Sequence, residues 1–539
     1  MPRFRKAALI GALAIPVVAG AFILQSRSQQ QGALLLDQVM SLVSDRFVDT
    51  LPLPDVYEKA ARGLVKELND PYSELMSPRD LKQFNSRTGG RYGGLGMLIE
   101  QDPTTKLVRV VTVYPNTPAE NGGVREGDMI IRVDSTSTRG WTINQVSDSL
   151  TGIIGTRVRV SFARPGVTEP ITSNFTRAEI HIPAVPFTLT LGNKIGYIPL
   201  QQYNENAYDN LLAAVKQYQS QGARGLIIDM RGDPGGILEQ SLDIANMFLP
   251  QGSLIAAVKY REGPAQSEQA KNAPVAATIP LVILVDDRTA SAAEIVTGAL
   301  QDHDRALVVG QTSFGKGLVQ GVYNLDGGYA LKLTTGKWLT PSGRSIQRPR
   351  KFVNGQFVED TPDSNETNAS KKNRPPYKSD AGRVVYGGGG ITPDVIVQDD
   401  TLTTAEQTFL KTIAPKGQDF VTVRDDYATE LAKSASPNFT VQSSWLNEFY
   451  NRLQSKGVTV DRKQYDAANR YMTRVLEQRV AHFVAGDSSA KRRDLPYDAP
   501  LRRAIDLLDH ASSQRELFTA AGETLAGAST RTAAAPKKP

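Results

Sequence analysis

The 539-residue chain has no cysteine, only four histidines and only three tryptophans. Without cysteine there is no disulfide framework, no thiolate metal site and no cysteine nucleophile. His181, His303, His482 and His510 lie far apart, and no acidic cluster has metal-ligand spacing, so no metal and no cofactor is expected. An excess of one charge is also missing. Lys plus Arg number 62 against 56 Asp plus Glu, leaving +6, too little over this length to point to nucleic acid. The chain is 40% hydrophobic and 22% charged, with 45 Gly and 31 Pro, which excludes a wholly disordered, collagen-like or polytopic membrane protein. At roughly 150 residues per domain, the length predicts about two to four domains, each able to bury a core.

The long apolar run sits at the start. Arg3, Arg5 and Lys6 precede an uncharged stretch from Ala7 to Leu24, followed by polar Gln25-Ser-Arg-Ser-Gln-Gln-Gln31. A basic start, an apolar middle and a polar exit make residues 1–24 a secretory signal or an uncleaved membrane anchor. The length fits the range of about 17 to 25 residues that a spanning helix needs. The body is therefore expected outside the cytoplasmic membrane, periplasmic or in the cell envelope, and held at the membrane if the segment stays.

Residues 32–88 read as helical, with Leu34, Leu35, Leu36, Val39, Leu42 and Val43 at helical spacing. Residues 89–176 form a compact strand-rich domain, opened by dense glycine and carried by alternating runs at 107–113, 129–133 and 158–162. Thr142 and Gln145 have the spacing of a capping box, starting a helix that presents Ile143, Val146 and Leu150. From 177 to 398 strands at 195–200, 226–230, 281–285 and 306–309 alternate with helices, the mark of a layered α/β domain. Within it, 347–390 is polar and reads as an exposed insertion or long loop. Residues 399–527 are mostly amphipathic helix, and 528–539 is a low-complexity, disordered tail.

Two constellations compete for Lys316. Gly310-Gln-Thr-Ser-Phe-Gly-Lys-Gly317 nearly spells a phosphate-binding loop. Residue 317 is Gly where a magnesium-binding hydroxyl is needed, and a strand rather than a helix follows. The second pairs Ser291 with Lys316. Ser291 lies at the first turn of a helix, where backbone amides face developing negative charge; Ser is also the ordinary helix cap. Gly235 and Gly236 either point bare amides at a carbonyl oxygen or merely make a tight turn. A serine attacks a peptide bond only if a neighbouring base takes its proton. His303 lies roughly 18 Å along the same helix at 1.5 Å per residue, too far to be that base. Lysine serves if burial keeps it neutral. Glu294, one turn after Ser291, is expected in an ion pair that stabilises the helix.

Seven stretches in order resemble the carboxy-terminal processing, or tail-specific, proteases. They are Arg91-Tyr-Gly-Gly-Leu-Gly-Met97, the run from Pro118 through Gly127-Asp128 to Val133-Asp134, Asp229-Met-Arg-Gly-Asp-Pro-Gly-Gly236, Thr289-Ala-Ser-Ala-Ala-Glu-Ile295, Phe314-Gly-Lys-Gly-Leu-Val-Gln320, Thr340-Pro-Ser-Gly-Arg-Ser-Ile-Gln347 and Ile391-Thr-Pro-Asp394. The resemblance implies a crotonase-like layered α/β peptidase core with an inserted β-rich PDZ domain, flanked here by helical N- and C-terminal regions. It makes Ser291 the nucleophile, Lys316 the general base and Gln320 the residue that orients the lysine. The backbone near Gly235, Gly236 and Ala292 becomes the oxyanion hole. Asp233 departs from the family, which often has Asn there. In the PDZ domain Gly93, Gly94, Leu95, Gly96 and Met97 are expected to bind a substrate C-terminus, with glycine amides around the carboxylate and an apolar pocket at Leu95 and Met97. The expected activity is that of an envelope serine endopeptidase acting through an acyl-enzyme on proteins or peptides with free apolar C-termini; a homo-oligomer is left open. The rival reading is a catalytically silent PDZ adaptor, against which the joint retention of Ser291, Lys316 and Gln320 argues.

Overall fold

Every residue of strand Leu281–Val285 is buried, and alternate side chains of such a strand face opposite layers. Ile283 and Val285 join one apolar cluster while Val282 and Leu284 join another. The computed structural model in which this is seen describes residues 31–522, except 103–104, 165–166, 354–355 and 360–365. The expected signal or anchor at 1–24 and the tail at 528–539 lie outside the described residues. Among those described, no helix is long and apolar enough to cross a membrane. The chain divides into two compact units, residues 1–81 with 320–335 and 352–357, and the remainder.

In the smaller unit, helices at 31–46 and Leu53–Lys66 lead to strand Glu74–Met76, which pairs antiparallel with Ala330, Leu331 and Lys332. Leu34, Leu35, Leu36, Val39 and Leu42 are exposed there. The predicted helicity of this region is observed.

The larger unit holds three parts. The strand-rich part is an antiparallel sheet of β1 (Met97–Gln101), β2 (Val108–Val113), β3 (Met129–Val133), β4 (Arg157–Ala163) and β5 (Ile171–Thr176), in that order, with β1 at the edge. Helix α1 (Ile143–Leu150) begins with the predicted capping box of Thr142 and Gln145 and buries Val146 and Leu150 against Leu95 and Met97.

The α/β part is a sheet of β6 (Leu189–Leu191), β7 (Ile195–Pro199), β8 (Gly225–Asp229), β9 (Leu281–Val285), β10 (Leu307–Gly310) and β11 (Val395–Ile396), parallel from β7 onward. Helices α2 (Ala207–Ser220), α3 (Leu238–Asn246) and α4 (Ala292–Asp302) cover one face. The other face is covered by helices from the end of the chain, α5 (Ala499–Asp509) and α6 (Gln514–Ala520), through Leu501, Leu508, Leu517 and Phe518. Burying each such side chain stabilises by about 1.5 to 3 kcal/mol. Between these parts of the sequence, helices over 404–494 enclose a separate core around Phe409, Phe449 and Met472.

Within the stretch read as an exposed insertion, residues 366–390 are anchored by buried charged side chains. Arg383 pairs with Asp304 and Asp394, with only 1% of its side chain exposed. Lys371 donates to the Asp394 carbonyl. Polar composition misled here because the stretch is held by ion pairs and main-chain acceptors rather than by apolar burial.

Candidate active site

The parallel strands β8 and β9 end side by side, and each runs into a turn at its C-terminal end. Their loops are laced together: Thr289 Oγ1 donates to the Met230 carbonyl (2.8 Å), Gly232 N donates to Asp286 Oδ1 (2.8 Å) and Ala290 N donates to the Asp233 carbonyl (2.9 Å). Ser291 follows, entering α4 at φ 56° and ψ −116°, a conformation that L-residues seldom adopt. Gly235 lies directly against it. A Cβ on Gly235 would stand 2.6 Å from the Ala290 carbonyl oxygen and 2.9 Å from Ser291 Cβ, so the approach requires glycine.

Lys316 arrives from the far side, on the loop after β10. Phe314 N donates to the Thr289 carbonyl (2.9 Å), joining the two loops. Glu294, fully buried on α4, completes the assembly. Its Oε2 accepts from Ser291 N at 2.8 Å and from Lys316 N at 2.9 Å, and its Oε1 accepts from Gly315 N at 2.7 Å and Ser313 Oγ at 2.5 Å. One carboxylate oxygen thus bridges the main chains of Ser291 and Lys316. Trp338 Nε1 donates to the Lys316 carbonyl (3.2 Å), fixing that residue from its other side. Burial pushes the Glu294 carboxyl above its ordinary range, opposed by the bonds it accepts. The ion pair expected for Glu294 is absent among the described residues; its partners are main-chain amides and one hydroxyl.

The structure therefore gathers Ser291, Lys316, Gly235 and Ala292 around one carboxylate and one turn. Gly235 does not present a bare amide: its N–H donates to Asp233 Oδ1 (2.8 Å). At Gly236 the bridge to Tyr203 is made by its neighbours, Tyr203 N to the Gly235 carbonyl and Ile237 N to the Tyr203 carbonyl. The Gly236 amide has no acceptor among the described residues. Ala292, at the first helical position, belongs to the turn whose amides lack helical acceptors. Gln320 lies in strand Leu318–Asn324, and its Nε2 donates to Thr334 Oγ1 (3.5 Å) within the smaller unit. His303 caps the end of α4, bonding Asp380 and the Leu254 carbonyl (both 2.6 Å), a structural role.

At the start of the strand-rich part, Gly93 and Gly94 are strand residues paired with Glu179 and Ala178, so the turn proper is Leu95 to Met97, with Gly96 at φ 90°. Burial pushes the Tyr92 hydroxyl up, with Tyr114 adding to the shift and the main chain of Met97 and Gly96 opposing it. No group of three or more His, Cys, Asp or Glu among the described residues could hold a metal ion.

Two residues escaped the sequence reading. Glu294 carries a readable signal, its i+3 spacing from a helix cap, but not its contacts to 313–316. Tyr92 carries none.

Residues 194–351 match the pattern of Peptidase family S41, and 109–164 match the PDZ domain. A carboxy-terminal-processing protease of Bartonella bacilliformis is 36% identical over 302 residues, 55% of this chain and 68% of that one. The carboxy-terminal processing protease CtpA of Bacillus subtilis is 31% identical over 360 residues, 66% of this chain and 76% of that one. A carboxyl-terminal-processing protease of a Synechocystis species is 31% identical over 363 residues, 62% of this chain and 84% of its own. Among solved structures, the photosystem II D1 C-terminal processing protease is 28% identical, with a TM-score of 0.35, over 61% of this chain and 92% of that one. The chain belongs to peptidase family S41, the carboxy-terminal processing serine proteases, and carries their PDZ domain.

Proposed function

We propose that the protein is an exported endopeptidase that selects substrates by their free C-termini and cleaves them through an acyl-enzyme on Ser291. The observation that carries this is the Glu294 carboxylate, which ties the main chains of Ser291 and Lys316 to one oxygen atom. Lys316, in its deprotonated form, takes the Ser291 proton as Oγ attacks the scissile carbonyl. The oxyanion is met by the amides of Gly236 and Ala292. Lys316 then gives its proton to the departing amine, and water, activated by the same lysine, releases the acyl group. Gln320 orients the lysine, a role carried by the family resemblance. Export rests on the basic start and apolar run of residues 1–24.

Digestion of casein and of defined peptides by variants tests the mechanism. Ser291→Ala and Lys316→Ala each lose nearly all activity while staying folded, and the double variant is little worse, since groups acting as a unit are non-additive. Lys316→Arg is also inactive, because Arg stays protonated. Substantial turnover by Lys316→Arg would overturn the lysine-base reading.

A further inference from the structure

The turn that faces Ser291 contains an acidic side chain placed where a charge has no support. Asp233 is 0% exposed. Its Oδ1 accepts one hydrogen bond, from Gly235 N, and its Oδ2 has no partner among the described residues. Its main chain is fixed on both sides, with Asp233 N donating to the Met230 carbonyl (3.2 Å) and the Asp233 carbonyl accepting from Ala290 N (2.9 Å). The ionisable groups around it are committed elsewhere. Arg231, on the same turn, is held by Asp229 and Asp498. Arg288 and Asp286, on the loop packed against the turn, pair with each other at 2.9 Å. On α4 Glu294 is filled by four donors. Tyr203, whose main chain grips Gly236, is a buried neutral phenol with its hydroxyl on Met230 Sδ. A carboxylate with one amide donor and no cation, taken wholly out of water, is far more stable as the neutral acid.

Resting on the Ser-Lys reading, we propose that Asp233 is a positioning residue that works as a neutral acid, holding the Gly235-Gly236 turn against the nucleophile through Oδ1 while uncharged at Oδ2. In that form it offers the turn what an amide side chain offers: an acceptor toward Gly235 and a donor on the second atom. Burial displaces its ionisation well above the ordinary carboxyl range. Ionised, it would put a negative charge on the turn whose amide meets the oxyanion, so turnover should fall at high pH. The stability sign follows from the same displacement. A carboxyl whose folded pKa is raised stabilises fully below its unfolded value of 3.8, and that contribution is lost as pH rises toward the folded value.

The test compares wild type, Asp233→Asn, Asp233→Ala and Ser291→Ala by kcat/KM against pH and by thermal melting against pH, with a free-acid peptide. Wild type is expected to rise as Lys316 loses its proton and to fall again on an alkaline limb. Asp233→Asn keeps activity within about threefold at neutral pH and loses the alkaline limb, and its melting advantage over wild type grows from acid to neutral pH. Asp233→Ala, with Gly235 N unpartnered, loses about tenfold or more at every pH. An alkaline limb that persists unchanged in Asp233→Asn would overturn the proposal, as would Asp233→Ala at wild-type activity. Activity retained by Ser291→Ala would instead fail the Ser-Lys reading. If Asp233→Ala does not fold, the Asn profile alone decides.

Discussion

Four donors converge on the buried carboxylate of Glu294, three of them main-chain amides from the segments that carry Ser291 and Lys316. Removing a buried acceptor leaves its donors unsatisfied, at about 1 to 3 kcal/mol for each group that finds no substitute. Glu294→Ala should therefore lose about 3 kcal/mol of stability and at least about tenfold in kcat, with KM for a peptide little changed. Urea unfolding and steady-state kinetics check this; a variant with wild-type kcat would show that the carboxylate does not position the pair. Ser291, Lys316 and the glycine turn were readable because their residue types and neighbours are distinctive. The engagement of the Gly235 amide was not, because a local Asp side chain takes it, and no spacing in the sequence distinguishes a donor that is spent from one that is open.

Strand β1 lies at the edge of its sheet, paired among the described residues with β2 alone, and α1 packs close to it with Val146 and Leu150. An open edge beside a helix accepts an added peptide strand, and on the proposed reading the substrate's terminal carboxylate would meet the turn at Gly96. Amidating the last residue of a substrate, or ending it in Asp-Asp, should slow cleavage by about tenfold or more, the worth of one charge-assisted contact. Equal cleavage of free-acid and amidated peptides would remove this role from the PDZ domain. Elements of this kind were legible wherever apolar periodicity sets them: the reading of 281–285 matches β9 to the residue, and the Thr142 capping box is present. Residues 366–390 were not, since Arg383 finds Asp304 79 residues away in sequence. Nor was the covering of the sheet by α5 and α6, because an amphipathic helix names its buried face but not the face it meets.

Across the larger unit, the helical region meets the PDZ part through charge. Glu126 bonds His482 (2.8 Å) and Arg479 (3.3 Å), and Arg109 approaches Asp425 (3.6 Å). A cavity of about 1000 Å³ opens beside these contacts, lined by Leu98, Val113, Tyr114, Gln202, Lys433 and Phe483. Burial pulls the His482 pKa down, but the bonds to Asp487 and Glu126 outweigh it and push the value up to about 9. A raised histidine stabilises fully below its unfolded value of 6.5, and that contribution disappears as pH climbs through about 9. Thermal melting should thus fall between neutral and alkaline pH, and His482→Ala should flatten that fall; an unchanged slope in the variant would show that the contact carries no stability. One consequence remains in the Arg383 cluster. A buried guanidinium shared by two carboxylates leaves no comfortable halfway state, because lifting it away together with Asp394 strands the buried Asp304 carboxylate. In a chain without a single covalent cross-link, the segment from 366 to 397 therefore docks cooperatively or not at all, and its attachment is indifferent to oxidant and reductant alike.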